Sequence, residues 1–586
     1  MYNANWTDLK VNTQYNGLRF FAQLCEELLY YFSHDSFKVP TLNFHYLCIE
    51  CLAVLEKADE DVLDKGNIKP VLLELIDSYK KDPIVSSFYG NDVNALFSFK
   101  DEEGNYKQVL AEILQSPKAD TSLQKIKRCL SFLQDDLERE ARYAKECIKQ
   151  IKELIIKKDL EYADLDLLNQ YTKIFLTELI NFGYSQEYLY TCVRDVFYTG
   201  EESAKPVADI FDSFIACFPM RKKEYAVYLP LNNVKIKNEL ANFRGFQIAD
   251  NVFEMFEVPS MYVIKIVHEA MDPEYAKNSA ISLIEFCLSI SQYCQHTKKS
   301  CSFKVADVVD IETKKCFSLK KLAQPINRQI RYPLDSHDLL MACFQMNSGV
   351  FSAVGLHTSA LETKEPKNQL LNLWTAMEVL IPVERTGSFS RINQISNAVS
   401  TMLTSRYFST LLFQLNQKLT SAADSKYNRI IESVEDGNSE IEKLLALIVL
   451  AKNDATFQTL CQDLAHVPLL AFRLQQYKNI FSSGKNIKDF YDRHTKRLAW
   501  QIMRIYRNRN MIVHDGNTFP FLDLILQNLH FYIDEIIDIF CEKNKEGFME
   551  ASSIILQLAQ KEQKYLTAVA KESSFDENNY VQLILG

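Results

Sequence analysis

Residues 493 to 514 read Arg-His-Thr-Lys-Arg-Leu-Ala-Trp-Gln-Ile-Met-Arg-Ile-Tyr-Arg-Asn-Arg-Asn-Met-Ile-Val-His. Arg493, Lys496, Arg497, Arg504, Arg507 and Arg509 put six cations in this stretch and no carboxylate, in a chain of net charge -10. A local field of opposite sign is what an acidic protein needs to hold an anion such as RNA. Leu498, Ile502 and Ile505 recur at four and three residues, and Ile512 resumes the series, which predicts a helix with one apolar stripe. Arg509 fills the missing position of that stripe. It is therefore expected to face inward, where a guanidinium requires a carboxylate, a phosphate or a special interface. Arg493, Arg497, Trp500, Arg504, Arg507 and His514 share a second face, and Asn510 stands four residues before His514, close enough to meet it.

Asp515-Gly516 predicts the end of this helix. Asn517 or Thr518 is expected to cap the next one, with Pro520 in its first turn. Leu522, Ile525, Leu529, Ile533, Ile536 and Phe540 give that second helix a buried side.

Outward from this pair, helical patterning continues over about 336 to 573. Only 15 Gly and 15 Pro in 586 residues also favour helices over many short strands. Residues 1 to 115 read as helical, with dense apolar runs at Leu18 to Phe32 and Tyr46 to Leu55. Leu123, Ile126, Leu130, Leu133 and Leu137, continued by Ala141, Ala144, Ile148, Ile151 and Ile155, predict one long amphipathic helix within 116–221. Its seam is expected to pack on its own chain. Residues 222–325 form a small α+β module. Its strands begin at Tyr225, Met261 and Cys301, and Asp272-Pro273 starts a helix on which Ala276, Ala280, Leu283 and Cys287 keep helical spacing. A connector covers 319–335, and 330–586 is a helical domain with inserted helices at about 405–490. The fold class is mainly α.

Hydrophobic residues at 47% and charged residues at 24% are the balance of a water-soluble chain. The N-terminus shows no signal-peptide pattern, and no run of about 18 apolar residues predicts a membrane span. The 14 Cys are scattered through apolar segments, as reduced cytoplasmic thiols would be. Cys48-x-x-Cys51 has no second pair. Cys294, His296 and Cys301 match no familiar ligand spacing, and Gly484-Lys485 lacks the rest of a phosphate loop. No metal and no cofactor is therefore expected.

Arg507-Asn-Arg509-Asn510-Met-Ile-Val-His514-Asp-Gly516 resembles the signature of the HEPN superfamily. There an Arg, usually followed by a polar residue, precedes His with four to six residues between them. Arg509-Asn510-x-x-x-His514 has the shortest permitted spacing. Arg507 satisfies the longest and stands in reserve. Upstream, Leu371-Asn-Leu-Trp374-Thr-Ala-Met-Glu378 resembles the Trp-to-Glu helix of the ApeA-like branch, with Glu378 expected to face and hold Arg509. The resemblance covers roughly 335 to 545.

It implies a metal-independent endoribonuclease, in which a ribose 2′-hydroxyl attacks the adjacent phosphodiester. His514 would serve as general acid or base, since an unperturbed imidazole titrates near ~6.5. Arg509 would meet the charge building on the phosphoryl oxygens. Asn510 would orient His514 or donate to the phosphate, while Arg497, Arg504 and Arg507 would track the RNA backbone. A homodimer through the C-terminal domain would bring two motifs together. The ApeA-like branch further implies an anti-phage, abortive-infection effector acting on cellular RNA, tRNA being a candidate, after a phage-derived trigger. The alternatives are a non-catalytic HEPN module that binds RNA or nucleotide or scaffolds a partner, and a purely structural helical protein.

Overall fold

The N-terminal apolar runs fold as α1 (Asn16–Leu29), α2 (Phe44–Asp59) and α3 (Ile68–Lys81) in the computed structural model. It describes all residues except 1–8, 12–14, 31–37, 101–105, 109–119, 200–204, 232–233, 242–244, 251–261, 296–302, 304, 321–335, 347–348, 364, 383–389, 520 and 586. Met261, His296, Cys301, Pro520 and nearly all of the connector thus lie outside the described residues. Asn43 caps α2, its side-chain oxygen accepting from the Tyr46 N–H at 3.1 Å.

The long helix expected from Leu123 to Ile155 is two helices, α4 (Asp120–Glu138) and α5 (Arg142–Ile155). The chain breaks where Glu140 and Ala141 take φ values of 51° and 54°. Left-handed backbone costs a non-glycine residue roughly 1–2 kcal/mol. The break lets both apolar stripes face the same core: Leu123, Ile126, Leu130, Leu133 and Leu137 are buried on one arm, Cys147, Ile151 and Ile155 on the other. The seam is therefore spent within the chain. Helix α6 (Tyr162–Phe182) packs on α5.

The α+β module is an antiparallel sheet of β1 (Lys223–Leu231), β2 (Gln247–Asp250), β3 (Tyr262–Ala270), β4 (Val305–Asp310) and β5 (Cys316–Lys320), in the order β2-β3-β1-β4-β5. Helix α7 (Pro273–Gln295) packs against it and buries Ala276, Ala280, Ile284 and Cys287 beside Val227, Leu229, Ile264 and Val308. Ile284 takes the inward position expected of Leu283, which is exposed. Asp272 accepts from the Tyr275 N–H (2.8 Å) and, across the chain, from the Ser185 N–H (2.6 Å), so it caps α7 and ties the module to the helical body.

The C-terminal part contains α8 (Ser336–Gln345), α9 (Val350–Glu362), α10 (Pro366–Leu380), α11 (Arg391–Thr404), α12 (Tyr407–Ser433), α13 (Pro468–Ile480), α14 (Gly484–Asp515), α15 (Leu522–Lys545) and α16 (Ala551–Val569). Buried side chains from residues 9–218 and from 342–584 form one continuous core, while the sheet module has its own. The chain is mainly α with a small α+β module. Among the described residues no single helix is long and apolar enough to cross a membrane.

Candidate active site

Helix α14 carries the basic stretch. Ser483 caps its start, its hydroxyl accepting from the Asn486 N–H at 3.3 Å. Gly484 follows because a Cβ there would collide with the Val569 carbonyl, so its glycine answers to packing rather than to phosphate binding. The helix ends where expected: Gly516 adopts φ 66°, and its N–H donates to the Ile512 carbonyl at 3.1 Å. The next helix begins differently. It starts at Leu522 without a side-chain cap, and neither Asn517 nor Thr518 caps it. The Phe519 N–H instead donates to Asn508 Oδ1 at 3.2 Å, folding the connection back onto α14.

The middle of α14 contradicts its expected role. Arg504 and Arg507 are 2% and 1% exposed and lie against helices from the other end of the chain. Arg504 donates through Nε and Nη2 to Glu50 on α2 and through Nη2 to Glu74 on α3, the last at 2.6 Å. Arg507 donates to Glu50 at 2.7 Å. Burial pushes the Glu50 carboxyl up, but the two guanidiniums together pull it below its ordinary value. Glu74 stays raised, because burial outweighs its share of Arg504. Two cations and two anions close on one another, so neither arginine reaches RNA. Arg507 is likewise unsuited as a reserve for Arg509.

Helix α2 runs beside α14 in the same direction. Thr41, just before it, accepts from Gln501 Nε2 at 2.7 Å, Glu50 meets Arg504 and Arg507, and Lys57 pairs with Asp515 at 3.0 Å. The N-terminal region thus reaches the residue next to His514.

The end of α14 differs. Arg509 is half-buried, and its Nη1 donates to Asn510 Oδ1 at 3.1 Å. His514 is exposed on the last turn, and among the described residues its ring has no hydrogen-bond or ionic partner. Asn510 is therefore turned to Arg509 rather than to His514. Lys367, at the start of α10, donates to the Gly516 carbonyl at 2.8 Å and places a further ammonium at this end. No spacing in the sequence pointed to Lys367 or Lys57, which are brought here by tertiary packing.

Helix α10 runs antiparallel to this half of α14: Lys367 meets Gly516, and the buried Trp374 ring lies 5.6 Å from that of Tyr506. This register carries Glu378 away from Arg509. Four residues beyond Trp374 and three back to Arg509 make roughly 10 Å along the axis. Glu378 pairs with Arg391 at 3.5 Å, and no Arg509–Glu378 bond forms among the described residues.

Arg497 is exposed, but 17 residues of continuous helix put it about 25 Å from His514. It serves a different surface, a cavity it lines with Arg493 and Trp500. The structure thus keeps Arg509, Asn510 and His514 on one accessible helix end, and separates from them Arg497, Arg504, Arg507 and Glu378. No family model matches the chain, and neither a curated protein nor a solved structure matches it.

Proposed function

We propose that the end of α14 is the active site of a metal-independent endoribonuclease of HEPN type, cleaving cellular RNA, tRNA included, in an anti-phage abortive response. The observation that carries this reading is the contrast at that end. His514 is exposed and, among the described residues, unpartnered, with Arg509 and Asn510 joined one turn behind it, while the neighbouring arginines are sequestered.

The ribose 2′-hydroxyl loses its proton to one imidazole as its oxygen bonds to phosphorus. The P–O5′ bond breaks, and a protonated imidazole supplies the leaving oxygen with its proton. The products are a 2′,3′-cyclic phosphate and a 5′-hydroxyl. Arg509 offers a planar pair of donors to the phosphoryl oxygens, and Lys367 adds a charge nearby. Among the described residues one protomer brings a single His to this end, so base and acid together call for a second copy. Apolar side chains left exposed on the C-terminal helices, Phe344, Phe351, Leu361 and Val513, support a twofold dimer through those helices.

Incubating the purified chain with total RNA in EDTA tests the proposal. Fragments ending in 2′,3′-cyclic phosphate, absent with His514→Ala, are expected. Fragments ending in 3′-hydroxyl, or cleavage that survives the substitution, contradict it.

A further inference from the structure

Where the first half of α14 meets α6 and α13 lies a cavity of about 790 Å³, of the size that holds small-molecule ligands. Its wall takes Lys173 from α6, Arg473 from α13, and Arg493 and Arg497 from α14. Among the described residues Lys173, Arg493 and Arg497 have no carboxylate bonded to them. The Lys173 ammonium makes no hydrogen bond, Arg497 contacts His494 Nδ1 at 3.3 Å, and Arg493 lies 5.7 Å over the Phe490 ring. Most carboxylates of the same wall are committed. Glu74 is held by Arg504 at 2.6 Å, Asp77 by Lys81 at 2.5 Å, and Asp82 by the N–H groups of Ile84 and Val85. The exposed Asp489 is the remaining one.

Lys173 carries the greatest penalty. Burial lowers its proton affinity to a value of about 7; Arg473 and Arg497 press the same way, with Glu27 and Asp166 as the smaller opposing charges. Glu27 is itself shared by Lys418 and Arg473, each at 2.9 Å. Convergent cations short of anions are what phosphate groups complete. Trp500 and Tyr162 line the same space, and Tyr162 is held by stacking on Phe472 at 5.1 Å, so a flat ring would find aromatic surface beside the charges.

We propose that this cavity binds a small phosphorylated ligand of nucleotide size, its phosphates held between Lys173, Arg493 and Arg497. The site stands about 25 Å from His514 along α14 and does not depend on the nuclease reading.

The test is calorimetric titration of the full chain with ATP and, in a second arm, with inorganic tripolyphosphate. Saturable binding of one ligand per chain is expected. Lys173→Met and Arg497→Ala each weaken it at least about tenfold, the scale of one charged hydrogen bond, while His514→Ala leaves it unchanged. Lys173→Met also removes a half-buried, repelled charge, so the unliganded variant should melt no lower than wild type, and lost binding then cannot be ascribed to unfolding. Binding of both probes supports recognition through phosphate alone; binding of ATP alone supports a nucleotide. No saturable binding of either at millimolar concentration overturns the proposal. So does binding indifferent to both substitutions, or binding at these residues only by long RNA.

Discussion

Arg504 and Arg507 stand within ten residues of His514 on the same helix, yet the two stretches have opposite fates. The first is walled in by Glu50 and Glu74, and its charge is used to join α14 to the N-terminal helices. The second ends in an exposed imidazole with an Arg–Asn pair behind it. A run of basic residues in sequence therefore does not define a nucleic-acid surface. The carboxylates that decide the matter lie 430 to 457 positions away.

The largest expected effect falls on the buried stretch. Glu50→Ala leaves two guanidiniums without their shared partner, and breaking a buried pair costs about 3–5 kcal/mol. Equilibrium denaturation should show that loss, whereas His514→Ala should stay within about 0.5 kcal/mol of wild type, as exposed substitutions do. Equal stability of the two variants would erase the contrast. Next, Arg509→Ala is expected to lower RNA cleavage by about 10²–10³-fold, the scale of removing one donor to a transition-state oxyanion. Its effect on unfolding should remain small beside that of Glu50→Ala.

Smaller and pH-dependent is the contribution of Lys173. Its folded value of about 7 lies below the ordinary 10.5, so the unfolded chain holds this proton more tightly between those limits. Stability from this group therefore rises with pH from 7 towards 10.5, and its full penalty is present below 7. Wild type should gain denaturation midpoint relative to Lys173→Met between pH 6.5 and 9; a constant difference would refute the assignment. Smallest of all, Lys57→Ala breaks only partly exposed pairs, with Asp515 and with Glu60. The midpoint should not move, and any change in cleavage would reveal a link from α2 to the active end.

What was legible in the sequence was local. The stripe on α14, its stop at Gly516, and the strands at Tyr225 and Tyr262 follow from periodicity and turn chemistry within a few residues. The break at Glu140 and Ala141 was not legible, because neither residue is a Gly or Pro and the reward for bending is packing at a distance. The edge strands β2 and β5 were hidden for a similar reason: each is five residues or fewer and depends on its neighbour for pairing. At the candidate site, the residue types were readable, but their neighbours were not. The register between α10 and α14, which sends Glu378 to Arg391 and brings Lys367 to Gly516, is set by the packing of Trp374 on Tyr506.

The rate of RNA cleavage in EDTA by purified His514→Ala, at a folded fraction matched to wild type, bears most directly on the account. A fall of at least about 100-fold is predicted, the scale of losing a general acid–base group. An unchanged rate would place the chemistry elsewhere and leave the end of α14 without the role assigned to it.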